Sequence, residues 1–151
     1  MRKTLGYLLT WTTYGTWLQG DERGYVKNGE TLEANISLAN TNRQNLSKDP
    51  VTLKPSQCKA VEDAIYAKSD EIGQKIFTLS ACSNHVHIVA GYTTLDLGLV
   101  VRYYKMAAQT ALRSIGLTGR LWTKGFDKRY CFDEEILQKR IDYVNSHHKK
   151  I

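Results

Sequence analysis

The sequence predicts an α+β fold, an antiparallel sheet with helices on one face and a further helix at the C-terminus. Three observations carry this. Runs rich in β-branched and aromatic residues occur at 5–14, 75–82 and 85–92. Helical apolar spacing fills 55–70 and 95–115. Only Ser83-Asn84 separates the second run from the third, which is short enough for an antiparallel hairpin.

LGYLLTWTTY (5–14) reads as the first strand, ended by Gly15, Gly20 and the polar DERGYVKNGE. Residues 15–55 are Asn-, Thr- and Ser-rich, with LEANISLA (32–39) as a short helix among them. A connection this long inside a compact domain is expected to be an insertion near a binding surface. Pro55-Ser56 opens a helix to about Asp70, with Cys58, Val61, Ala64, Ile65 and Ala67 on its apolar side. Gly73 punctuates, and the hairpin KIFTLSAC/HVHIVAGY follows. The helix at 95–115 is closed by Gly116. Leu99, Tyr103, Met106, Ala107, Thr110 and Ala111 read as its inner stripe, and Arg102, Lys105, Gln109 and Arg113 as its outer face. In LWTKGFDKRYCF (121–132) a fourth strand is expected near DKRYCF. Asp133 caps a last helix ending at His148, with Glu134 and Glu135 in the first turn and His147-His148-Lys149-Lys150 at its end, as the helix dipole favours. The order β-α-β-β-α-β plus a terminal helix is that of a ferredoxin-like (RRM-like) split βαβ sandwich, one domain over 1–151.

Composition narrows the function classes. The 21 Lys and Arg against 15 Asp and Glu give a net charge of +6, which favours a polyanionic partner through phosphate contacts. Three scattered cysteines and no CxxC pair argue against a disulfide framework or a cysteine zinc site. No run approaches a membrane span, and the faint signal-like LGYLL is interrupted by Thr10, Thr12 and Thr13, so the expectation is a mature cytosolic protein with no membrane partner. There is no P-loop.

His85 and His87 lie two apart in a strand, so both imidazoles point to one face. Such a pair is either a half-buried structural face or two ligands of a divalent metal that needs a third group from elsewhere. The last helix supplies a candidate. Leu137, Ile141 and Val144 form its apolar stripe. Tyr143 and His147, four apart, share another face, with Lys139 and Arg140 one turn earlier. A phenol, an imidazole and two cations thus stand together. Basic and aromatic residues elsewhere fit a nucleic-acid surface: Arg102, Lys105, Arg113, Lys124, Lys128 and Arg129 along a backbone, Trp122 and Phe126 against unpaired bases. Trp11 is expected in the core, and Tyr14 and Trp17 are candidates to face DNA.

HVHIV resembles the His-hydrophobic-His motif of HUH endonucleases. A final helix with one tyrosine and a polar ligand four residues later resembles the single-tyrosine transposases of small insertion sequences (IS200-like) and the REP-associated tyrosine transposases. WTTYGTWLQGDERGYV is similar to openings among these relatives. The resemblance implies cutting and rejoining of single-stranded DNA beside a hairpin, through a tyrosine nucleophile and a divalent metal, Mg²⁺ or Mn²⁺. It makes Tyr143 the nucleophile and His85, His87 and His147 the metal ligands. His147 stands where many relatives have Gln or Asn, and the neighbouring His148 competes for the role. The resemblance further implies a homodimer and a bacterial, cytoplasmic, nucleoid-associated enzyme. A hairpin-DNA-binding protein that is catalytically inactive or domesticated is the alternative. A phenol is mostly protonated at neutral pH, so the chemistry needs the phosphate made a better electrophile, which a metal on a non-bridging oxygen provides.

Overall fold

The computed structural model describes residues 3–16 and 50–148. The expected helix at 32–39, Trp17, and nearly all of the insertion at 15–55 lie outside the described residues. The chain runs β1 (Gly6–Thr12), α1 (Pro55–Ile72), β2 (Ile76–Ala81), β3 (His85–Gly91), α2 (Leu97–Ser114), β4 (Asp127–Cys131) and α3 (Glu134–His148). All pairings are antiparallel in the order β2-β3-β1-β4, the split βαβ arrangement expected.

Local chemistry sets the boundaries. Pro55 occupies the first turn of α1, where its missing N–H costs nothing, and the Lys54 N–H donates to Gln57 Oε1 at 2.8 Å. Gly73 ends that helix at φ 72°, a left-handed conformation open to glycine. Asp96 Oδ2 accepts from the Leu99 N–H and Asp133 Oδ1 from the Ile136 N–H, so α2 and α3 each start on an acidic cap.

Strand alternation divides the sheet into two unequal faces. Tyr7, Leu9, Trp11, Val86, Ile88 and Ala90 face α1 and α2 and make the main core with Val61, Ile65, Val100 and Leu112. On the other face Leu8 and Val89 meet Val144 of α3, flanked by Phe77, Leu137 and Ile141. A bulge between Ile76 and Thr78 turns Phe77 and Thr78 to this second side. Gly6 allows α3 to begin close to the sheet, since a Cβ there would stand 2.6 Å from Ala90 O and 3.4 Å from Leu137 Cδ1.

Two helix faces differ from expectation. In α1 Ala67 is exposed and Ser69 is buried in its place, its hydroxyl donating to Tyr66 O within the helix. In α2 the buried stripe is Leu97, Val100, Val101, Tyr104, Ala108 and Leu112, about one position from the set starting at Leu99. Met106 and Thr110 face solvent. The aliphatic pair Val100-Val101 and the ring of Tyr104 carry more apolar surface than Thr110 and Ala111, and burial follows that surface. The Tyr104 hydroxyl also has a buried acceptor in Gln74 Oε1, while Gln74 Nε2 donates to Gly91 O at 2.9 Å.

Candidate metal and tyrosine site

The second face of the sheet carries the histidines. On central β3, His87 lies between Thr10 of β1 and Ser80 of β2, and His85 lies opposite Thr12. Their ring centroids are 4.4 Å apart with planes at 70°. His87 is 7% exposed and His85 half-buried. Each ring is gripped at Nδ1, His87 by Thr10 Oγ1 at 2.9 Å and His85 by Asn84 Oδ1 at 2.7 Å.

Helix α3 brings the tyrosine. It starts beside Gly6 and crosses the sheet toward the β2–β3 hairpin, held by its apolar stripe and by Thr78 Oγ1, which donates to Asn145 Oδ1 at 2.6 Å. Two residues before Asn145, the Tyr143 ring stands edge-on to His87, centroids 5.4 Å apart and planes at 71°. Tyr143 is 45% exposed, so the phenol is reachable by a large substrate. Tyr143 and the two histidines of one chain therefore lie together on one face of the sheet.

The two adjacent imidazoles are donors of a kind that divalent cations take. Both Nδ1 atoms are engaged by the protein, the arrangement in which a metal-ligating imidazole uses Nε2. Among the described residues no group of three or more His, Cys, Asp and Glu side chains is arranged to hold a metal. The third ligand expected, His147, is one turn beyond Tyr143 in α3, with its side chain outside the described residues, as is that of His148.

The residues read as a DNA surface separate into groups. Trp122 is 7% exposed in the main core, edge-on to Trp11 at 6.0 Å, with Nε1 donating to Lys105 O. Its expected stacking on bases is corrected to a packing role. Lys105 is corrected likewise. It turns inward and donates from Nζ to Thr123 O at 3.1 Å and Gly125 O at 2.7 Å, and burial lowers its pKa. Trp11 is fully buried, as expected. Phe126 packs partly buried against the same core, and Tyr14 does so with the Arg120 guanidinium over its ring at 4.6 Å.

Arg102 and Arg113 are exposed on α2, on the side of the sheet away from the histidines. Lys128 alternates with Arg129 and falls on that same side beside Tyr130; Lys124 is exposed in the loop before β4. Arg129, Lys139 and Arg140 belong to the α3 side. Arg129 pairs with Asp127 at 3.3 Å and Lys139 with Glu135 at 3.4 Å, while Arg140 is half-buried near Cys131. Sequence reasoning missed Thr10 and Asn84, the two groups that hold the histidines. Asn84 was visible as the hairpin residue before His85, whereas Thr10 becomes a neighbour only through strand register.

This βαββαβ arrangement, with a further helix laid across one face of the sheet, is a fold shared with a solved tyrosine transposase. In particular, the chain is similar to a REP-associated tyrosine transposase solved bound to a REP hairpin, at 12% identity and a TM-score of 0.60, covering 99% of this chain and 70% of that one. It is also similar to a protein of Deinococcus radiodurans R1 provisionally described as a transposase, at 17% identity and a TM-score of 0.51, covering 98% and 94%. No protein-family model matches the sequence, and no curated protein matches it. Among the described residues no helix is long and apolar enough to cross a membrane.

Proposed function

We propose that the chain is a transposase that cuts and rejoins single-stranded DNA next to hairpins by metal-dependent transesterification. The observation that carries this is the Tyr143 ring set 5.4 Å from His87 on the same sheet face as His85. A structural histidine face has no need of an exposed phenol beside it. The fold shared with a hairpin-bound tyrosine transposase supports the reading.

His85 and His87, with His147 as third ligand, would hold a divalent cation, Mg²⁺ or Mn²⁺, which when bound would supply charge neutralisation at the scissile phosphate. Tyr143 Oη attacks phosphorus and gives up its proton, and the 3′-oxygen departs and takes one up. The products are a 5′-phosphotyrosine and a free 3′-OH. The ester energy is retained, so attack by another 3′-OH restores a phosphodiester and releases the tyrosine without ATP. Arg129, Lys139 and Arg140 lie on the site's own side of the sheet and suit the backbone of the cut strand. The enzyme would work as a homodimer in the bacterial cytoplasm, on DNA of the nucleoid.

The test is covalent capture. Hairpin-bearing single-stranded DNA, labelled at its 3′ end, is incubated with the protein and Mg²⁺ or Mn²⁺. The wild type forms a protein–DNA adduct, and Tyr143→Phe forms none while still binding the hairpin. Hairpin binding by the wild type without an adduct under either metal refutes catalysis and leaves the chain a hairpin-binding protein.

A further inference from the structure

We propose that Thr10 and Asn84 are positioning residues, which fix the ring orientation and the tautomer of the two histidines so that both present Nε2 to one point. The inference rests on the metal reading above but makes a claim that metal-free protein can answer.

The two contacts are asymmetric in what they dictate. A carboxamide oxygen only accepts, so Asn84 Oδ1 at 2.7 Å requires the proton of His85 on Nδ1, leaving the lone pair on Nε2. Thr10 Oγ1, at 2.9 Å from His87 Nδ1, can accept or donate. As an acceptor it sets the same tautomer on His87 and matches the two rings. Thr10 and His87 are both buried, so water is a poor substitute for the missing partner, and half a turn of the ring about its Cβ–Cγ bond would leave Nδ1 and Thr10 unsatisfied together. The grips come from different places. Asn84 belongs to the hairpin itself, whereas Thr10 reaches His87 across the β1–β3 ladder, in which it is the direct partner. The site is thereby tied to strand register: a slip of β1 by one residue would carry the Thr10 hydroxyl to the main-core face.

Two measurements on wild type, Thr10→Val, Thr10→Ser and Asn84→Ala test this. Long-range ¹H–¹⁵N NMR of metal-free protein, at a pH where the imidazoles are neutral, reads the tautomers. We expect Nδ1–H forms for His85 and His87 in the wild type, with Thr10→Val perturbing His87 alone and Asn84→Ala His85 alone. Titration with Mn²⁺ alone reads affinity: Thr10→Val should bind about 10- to 100-fold more weakly, and Thr10→Ser, which keeps the hydroxyl, should recover most of the loss. Unchanged circular dichroism, and an unaltered His85 tautomer in Thr10→Val, exclude a folding cause, whereas a modest fall in melting temperature is expected there from the unsatisfied His87 Nδ1. An Nε2–H form of either histidine in the wild type overturns the proposal, as does Thr10→Val with unaltered tautomer. The stated tautomers without any Mn²⁺ binding by the wild type would uphold the positioning role and defeat the metal reading.

Discussion

Truncation of Val144 to alanine would show how α3 is held. Val144 is fully buried and packs on Leu8 and Val89, with Leu137, Ile141 and Phe77 around it, and this small cluster is the apolar contact between the tyrosine helix and the sheet. Removing two carbons forfeits about 1.5 kcal/mol of transfer free energy, and the cavity raises the cost to roughly 2–3 kcal/mol. In a chain of this size that lowers the melting temperature by about 5–10 °C. Val61→Ala removes the same atoms from the main core, where Val61 is equally buried, and should cost a similar amount globally. The two variants differ in where the cost falls. For Val144→Ala, hydrogen exchange of the α3 amides should speed up about 30- to 150-fold, as 2–3 kcal/mol implies, while the β1 and β3 amides change less. Adduct formation by Tyr143 should fall with it, since an undocked helix no longer sets the phenol against His87. Val61→Ala should spare both. Equal exchange and equal adduct yield in the two variants would refute the idea that this cluster is the main anchor of α3.

Two further outcomes follow from buried ionisable groups. Lys105→Met leaves Thr123 O and Gly125 O without their donor, costing roughly 1–2 kcal/mol, and should loosen the 121–126 loop; limited proteolysis and Trp122 fluorescence would report it. Alkaline stability should fall from about pH 9. Burial pushes the Cys58 thiol from 9.0 up to about 11 and raises Cys82 and Cys131 as well. Between those pH values the unfolded thiol has lost its proton and the folded one keeps it, so stability present below pH 9 is lost as pH climbs toward 11. Lys105 acts in the opposite sense just below 10.5, because its neutral form suits its burial. Denaturant midpoints from pH 8 to 11 should show the net decline, shallower in Cys58→Ala.

The strands and helices were legible because each is written in a local pattern: β-branched and aromatic runs in β1, β2 and β3, and helical spacing in α1, α2 and α3, with Pro55 and Asp133 marking two of the helix starts. So was the docking face of α3, where Leu137, Ile141 and Val144 had no rival stripe. In α2 two neighbouring stripes satisfied the same spacing, and only packing against α1 and the sheet chooses between them. The stretch 121–126 misled for a different reason. Lysine beside tryptophan reads as a nucleic-acid surface, but the Thr13–Trp122 bridge folds the segment back onto the end of β1, which seats the indole in the core and gives Lys105 two carbonyls to bind. No local pattern contains that long-range pairing. The same limit hid Thr10, a strand threonine like Thr12 and Thr13 until register sets it beside His87.

For the proposed function, the division of the sheet into two faces bears on how DNA would be engaged. Arg102 and Arg113 stand on α2, behind the main core, and Lys128 points to that side from β4. Arg129, Lys139 and Arg140 share the face of His85, His87 and Tyr143. A single strand threaded past Tyr143 meets the second group and is separated from the first by the thickness of the sheet and a helix layer, roughly 10 Å for each packed layer. One extended strand lying across the histidine face therefore does not reach Arg102 and Arg113. Either a second part of the substrate, such as the stem of a hairpin, wraps to the α2 side, or the α2 cations act only through long-range attraction of the polyanion. Direct contacts at the site and diffuse charge behind it carry different weights. Neutralising a contacting cation removes about one unit from the salt dependence of binding, whereas a distant cation mainly slows encounter. The site's own chemistry needs only the near group, which is why the tyrosine and histidine geometry, and not the overall charge of +6, bears the functional conclusion.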